Sequence, residues 1–130
     1  MRQMGVSLST LEPGGATVSV GSRPELVENE GRFHDEVTTF LIEQGARIAA
    51  ATELDEGRSF LSTTCRVNLF GTARGERLVC RARVVRAGRL ASVVAADVVC
   101  LANGEEVPTA TAVATISIVE SCALAPAGHA

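Results

Sequence analysis

The sequence predicts an α+β domain in which one long, largely apolar helix is wrapped by an antiparallel sheet of five or six strands. Three observations carry this. The only extended helical pattern is Val37 to Ala51, apolar on most sides, and a helix apolar nearly all round is a buried one. After it come four segments of strand length with period-two alternation, separated by glycine-containing connectors. The core must then be built from Val, Leu, Ile and Ala, because the 130 residues include four Phe and no Tyr or Trp. A sheet curved over a single helix is the arrangement that buries such a helix.

Each element follows in order. Residues 5–11 and 16–20 are strand-like and are broken at Pro13-Gly14-Gly15. Gly21-Ser22-Arg23-Pro24 is a turn, and Glu25 to Phe33 is irregular. Asp35 is placed to cap the helix, with Glu36 in the first turn complementing the dipole. Val37, Phe40, Leu41, Gln44, Ile48 and Ala51 fall at helical spacing and define the expected core face, leaving Ala46, Ala49 and Ala50 on the other side. Leu54-Asp55-Glu56-Gly57 closes the helical segment. Ser59–Phe70 alternates with Thr63, Cys65, Val67 and Leu69 on one side and Arg66 and Asn68 on the other. Arg77–Arg86 places Leu78, Cys80, Ala82 and Val84 inward and Arg81 and Arg83 outward. Leu90–Leu101 is nearly all apolar, as a central strand is, and Val107–Val119 closes the sheet. Gly71-Thr72-Ala73-Arg74-Gly75, Ala87-Gly88 and Asn103-Gly104 hold the glycines that hairpin turns need. Residues 1–120 form one domain, and 121–130, rich in Ala, Pro and Gly, form a flexible tail.

The bulk numbers exclude several function classes. A net charge of −3 and the lack of a stacking aromatic set argue against a nucleic-acid partner. No apolar stretch is long and charge-free enough to span a bilayer, and Met1 to Ser7 has no signal-peptide pattern, so a cytoplasmic location is expected. The four cysteines have no CxxC spacing, and Cys65, Cys80 and Cys100 are expected as small core residues. With two histidines, one in the tail, no metal site is expected. Lysine is absent, so any anion site must use the guanidinium forks of the twelve arginines.

Glu43 is the candidate for chemistry. It lies on the apolar helix, nine residues past His34 in a Gly31-Arg32-Phe33-His34 turn. A rigid helix would hold it as a general base or nucleophile. The alternative is a solvated acid paired with Arg47 one turn later, the favourable order for such a pair. His34 either orients a substrate or ties the preceding loop to the helix.

The order of these segments resembles the hotdog fold, and more narrowly the phenylacetate-pathway-type acyl-CoA thioesterases. The resemblance spans about residues 5–119 and rests on Gly31 and His34, Glu43 at the family's acid position, Ser62 to Phe70, Ala73-Arg74-Gly75, Val84 to Arg89 and Thr109 to Ala112. It implies thioester hydrolysis, with Glu43 activating water or attacking the carbonyl and backbone N–H groups at Asp35 and Glu36 holding the oxyanion. Ser62 of a second subunit would place the water. His34 and Asn29 would contact the substrate, and Arg74, Arg86 and Arg89 the coenzyme A phosphates. It further implies a homodimer or homotetramer, and no cofactor beyond the coenzyme A of the substrate. The chain departs from the family in having Asp35-Glu36 where the family has Gly-Gly, and Glu28, with Asn29 one place later, where the family has Asn. Those changes favour an alternative, a non-catalytic hotdog protein binding acyl-CoA or another small ligand.

Overall fold

In the computed structural model, which describes residues 5–28 and 30–121, the strands form one six-stranded antiparallel sheet. They are β1 (Ser7–Glu12), β2 (Gly15–Gly21), β3 (Arg58–Leu69), β4 (Arg77–Ala87), β5 (Ala91–Ala102) and β6 (Glu105–Glu120), in the spatial order β1-β2-β4-β5-β6-β3. The one α-helix among the described residues, α1 (Asp35–Ala51), is about 26 Å long at 1.5 Å per residue and lies on the concave side. The expected tail from Cys122 onward and Asn29 fall outside the described residues.

The buried face of α1 differs from the one that hydrophobicity alone picks out. Val37, Thr38, Leu41, Ile42, Gly45, Ala46, Ala49 and Ala50 are buried, while Phe40 and Ile48 sit at the flanks and Ala51 is exposed. The reason is the closeness of helix and sheet. A Cβ on Gly45 would lie 3.2 Å from both Cys80 Sγ and Val18 Cγ2. At this point only a side chain as small as glycine's fits, so Gly45, Ala46, Ala49 and Ala50 share the buried face with Val37, Leu41 and Ile42, and Phe40 and Ile48 are left at its flanks.

The sheet half of the core comes from alternating inward residues: Val18 and Val20, Leu78 and Cys80, Val94, Ala96 and Val98, and Ala110, Ala112, Ala114 and Ile116. Asn103 and Gly104 both take positive φ (53° and 82°), as a tight β5–β6 hairpin requires. Gly71 to Gly75, expected as a hairpin, is instead a crossover. It carries the chain from β3 at one edge to β4 in the middle, since β3 pairs with β6 and β4 with β2 and β5.

That crossover fixes the entry to α1. Phe33 N donates to Ala73 O at 2.8 Å, Arg32 bridges Arg74, and His34 N donates to Leu26 O at 3.0 Å. Phe33 is fully buried beneath these contacts. Asp35 is not the cap. His34 takes the N-cap position, with φ −63° and ψ 145°, and Asp35 and Glu36 are the first two helical residues.

The helix covers the sheet unevenly. Every inward residue of β6 from Ala110 to Ile118 is buried, but no residue of the neighbouring edge strand β3 is. Phe60, Thr63, Cys65 and Val67, which face the helix side, are only half-buried. A groove therefore runs between one flank of α1 and the concave face of β3. No described helix is long and apolar enough to cross a membrane.

Candidate active site

Glu43 lies on the flank of α1 that borders this groove. Helical geometry sets it well away from the centre of the buried stripe, and it is half-buried. Its neighbour across the groove is Cys65, whose thiol is pushed up first by burial and second by the negative charge of Glu43. Cys65 is thus not the core residue expected of it, whereas Cys80 and Cys100 are buried as expected.

The ion pair between Glu43 and Arg47 is not formed. Arg47 Nη1 instead donates to Thr63 Oγ1 at 3.0 Å, and its guanidinium lies over the Phe60 ring, 5.5 Å from the centroid. Among the described residues Glu43 makes no salt bridge. A carboxylate on a rigid helix, beside an apolar floor and without a cation of its own, can take a proton from a water in the groove.

The helix start supplies a second chemical element. His34 makes no side-chain capping bond, so the first-turn N–H groups of Asp35 and Glu36 carry no side-chain acceptor. Both carboxylates point to solvent, and Asp35 is drawn to within 3.8 Å of Arg32 Nη2. That cation offsets part of the charge that the Asp35-Glu36 pair brings to the helix dipole end. His34 Nδ1 lies 3.8 Å from Glu28 Oε2, and Arg32 Nε donates to Glu28 Oε1 at 3.4 Å. Glu28 therefore gathers the loop, His34 and Arg32 at the helix entry. Its position was noticed in the sequence only as a departure from Asn.

The remaining expected residues are dispersed. Ser62 pairs with Ser117 on the convex face, turned away from α1, and its hydroxyl donates to Ser117 Oγ at 3.2 Å. Arg74 sits in the crossover beside the helix entry and pairs with Glu30 at 2.8 Å. Arg86 and Arg89 lie at the opposite end of β4, where Arg89 O accepts from Arg58 Nη2 at 2.7 Å. One phosphate cluster within one chain cannot use all three, since β4 alone spans about 35 Å at 3.3 Å per residue. An open depression of about 490 Å³, lined by Thr64, Cys65, Arg66, Val113 and Thr115, lies on the convex side and holds none of these residues.

Thr63 and Arg47 border the groove and were not singled out as site residues. The period-two pattern placed Thr63 with Cys65 and Val67, but nothing in it showed that this face would be left uncovered.

Solved structures with the same architecture include a thioesterase-family protein from Silicibacter pomeroyi, with a TM-score of 0.88 and 28% identity, over 92% of this chain and 88% of that one. A thioesterase from Haemophilus influenzae gives 0.82 at 18% identity, over 92% and 82%. The phenylacetic acid degradation protein PaaI from Thermus thermophilus, in a mutant form, gives 0.73 at 24% identity, over 90% and 96%. No family model and no curated protein matches the sequence.

Proposed function

Because this chain has the hotdog fold of the thioesterase superfamily, we propose that it hydrolyses an acyl-CoA thioester to the free acid and coenzyme A, in the cytoplasm and as at least a homodimer. The observation that carries the reading is the placement of Glu43: half-buried on α1, facing Cys65 across the groove, and unpaired although Arg47 is one turn away.

In this mechanism Glu43 takes a proton from water, whose oxygen bonds to the thioester carbonyl carbon. Negative charge develops on the carbonyl oxygen and is met by N–H groups at Asp35 and Glu36. The C–S bond then breaks, the electron pair leaves with coenzyme A sulfur, and the sulfur is protonated. Direct attack by the Glu43 carboxylate, with an anhydride then hydrolysed, gives the same products.

One helix cannot supply both halves to one carbonyl. Asp35 and Glu43 are eight residues apart, about 12 Å along the axis. Two copies of the chain would solve this, the N–H groups of one meeting the Glu43 of the other. The uncovered edge strand β3 supports such a pairing, because an exposed edge invites a second strand. Ser62, on the convex face, could place the water only as a residue of the partner subunit. Arg74 at the helix entry, and Arg86 and Arg89 at the far hairpin, could meet phosphates of coenzyme A only if different subunits provide them. His34 would border the substrate at the helix entry, and Asn29 would contact it.

Release of free thiol from a panel of acyl-CoAs tests the proposal. Wild type should turn over at least one of them, and Glu43→Gln should be slower by about 10²–10⁴-fold, the usual contribution of a positioned base. No turnover by wild type, or equal rates, would sink it. The exposed acids Asp35 and Glu36 at the helix start favour a second reading, binding without turnover. Thermal stabilisation by coenzyme A in a protein that hydrolyses nothing would establish that instead.

A further inference from the structure

We propose that Arg47 determines the specificity of the Glu43 groove, selecting acyl groups that carry an anion one helical turn beyond the thioester carbonyl. The inference rests on the reading of this groove as the thioester site, and it names the substrate class.

The first observation is that the guanidinium is already ordered. Thr63 Oγ1 accepts from Nη1 at 3.0 Å, and the Phe60 ring lies beneath the group. Arginine loses much rotamer freedom when fixed, and here neutral partners from β3 have imposed that loss before any ligand arrives. Preorganised donors bind more tightly than mobile ones.

The second observation is what Arg47 lacks. Four of the described arginines, Arg32, Arg74, Arg81 and Arg83, pair with a carboxylate, and the others, Arg47 among them, do not. Arg47 makes no salt bridge among the described residues, although Glu43 precedes it by four residues in the favourable order. Only Nη1 is engaged by a hydrogen bond, so most of its donors face the exposed side of the groove.

The groove thus presents a carboxylate and a guanidinium on one helix flank, about 6 Å apart along the axis and not paired with one another. Half-buried Phe60, Cys65 and Val67 make the floor beside them apolar. A short methylene chain with a thioester carbonyl at one end and a carboxylate at the other matches that sequence of groups. The phosphates of coenzyme A do not, because the pantetheine arm between sulfur and phosphate is far longer than one helical turn.

Glutaryl-CoA and pentanoyl-CoA have equal carbon counts and differ in the terminal charge, and they form the test. Wild type should prefer glutaryl-CoA in kcat/KM by roughly ten- to a hundredfold, mostly through KM, as expected for a charge-assisted, two-donor contact. In Arg47→Gln that preference should vanish, and Arg47→Lys should retain part of it. No preference in wild type, or an equal loss for both substrates in Arg47→Gln, would overturn the inference and leave a mere clamp between helix and strand. Binding of the same two thioesters to Glu43→Gln, measured calorimetrically, separates this inference from the hydrolase reading. An Arg47-dependent preference in binding without any wild-type turnover would remove the hydrolase and keep the selection. Equal binding would remove the selection.

Discussion

Replacing His34 by Ser should stabilise the protein and slow it at once. His34 holds the N-cap position in the extended conformation that Ser, Asp and Asn use there, yet its imidazole makes no capping bond. Among the described residues the polar contact of its imidazole is with Glu28 at 3.8 Å, between groups 40% and 47% exposed. Losing a contact that solvated costs at most a few tenths of a kcal/mol. A serine hydroxyl would accept from the Glu36 N–H, and a new cap contributes about 1 kcal/mol. The net gain is about 0.5–1 kcal/mol, or roughly 2–5 °C in Tm for a chain of this length. The same bond would take a donor away from the developing oxyanion, and loss of one such donor lowers kcat by about 10²–10³. Urea denaturation with an unchanged m value and thiol-release kinetics measure the two effects on one preparation. A variant less stable than wild type would refute the argument about the cap. One that is more stable and fully active would refute the role given to the helix start.

Two further outcomes follow from packing and burial. A Cβ at Gly75 would lie 2.2 Å from Leu101 O and 2.9 Å from Cys100 Sγ, against a strand held on both sides. Gly75→Ala should therefore cost about 2–4 kcal/mol, combining overpacking with strain on the Glu76 N to Leu101 O bond. Gly104→Ala, at φ 82° with open space around it, should cost only about 1–2 kcal/mol, and equal losses in urea melts would contradict this. Burial pushes the Cys80 thiol up from 9.0 to about 12, with Asp97 and Cys65 adding smaller effects. Its neutral form is thus favoured in the fold, and the resulting stability is fully present below pH 9. Between pH 9 and 12 the unfolded chain ionises while the folded one does not, so stability falls by up to about 1.4 kcal/mol per pH unit from this group. Cys80→Ala should flatten that alkaline slope in pH-dependent denaturation, and an unchanged slope would count against it.

The strands were legible in the sequence because inward and outward residues alternate, as in Cys80-Arg81-Ala82-Arg83. Helix existence was legible too, but not its buried face. Hydropathy weights Phe40 and Ile48 above Gly45 and Ala49, whereas the close approach to Cys80 and Val18 rewards small size. The glycines of 71–75 suggested a local turn, but pairing partners distant in sequence decided that this segment crosses the sheet. Glu43 stood out as a carboxylate in an apolar helix. What could not be read was that Arg47 bonds Thr63 instead of Glu43, since that depends on which strand ends at the edge beside the helix.

The uneven cover that α1 gives the sheet also bears on the order in which the protein comes apart. β4, β5 and β6 are joined by successive hairpins and share the packed side of the helix, so they make one cooperative unit. β3 is held along one side only and has no buried residue, and it reaches β6 across two hairpins' worth of chain. Among the strands packed against α1, β3 in an unpaired chain is therefore the first to open, at a free energy below that of global unfolding, and its amides exchange with solvent before those of β4 and β5. Since β3 carries Phe60, Thr63 and Cys65, gentle heating or denaturant would dismantle the groove while the core is still folded, and loss of function would precede loss of structure.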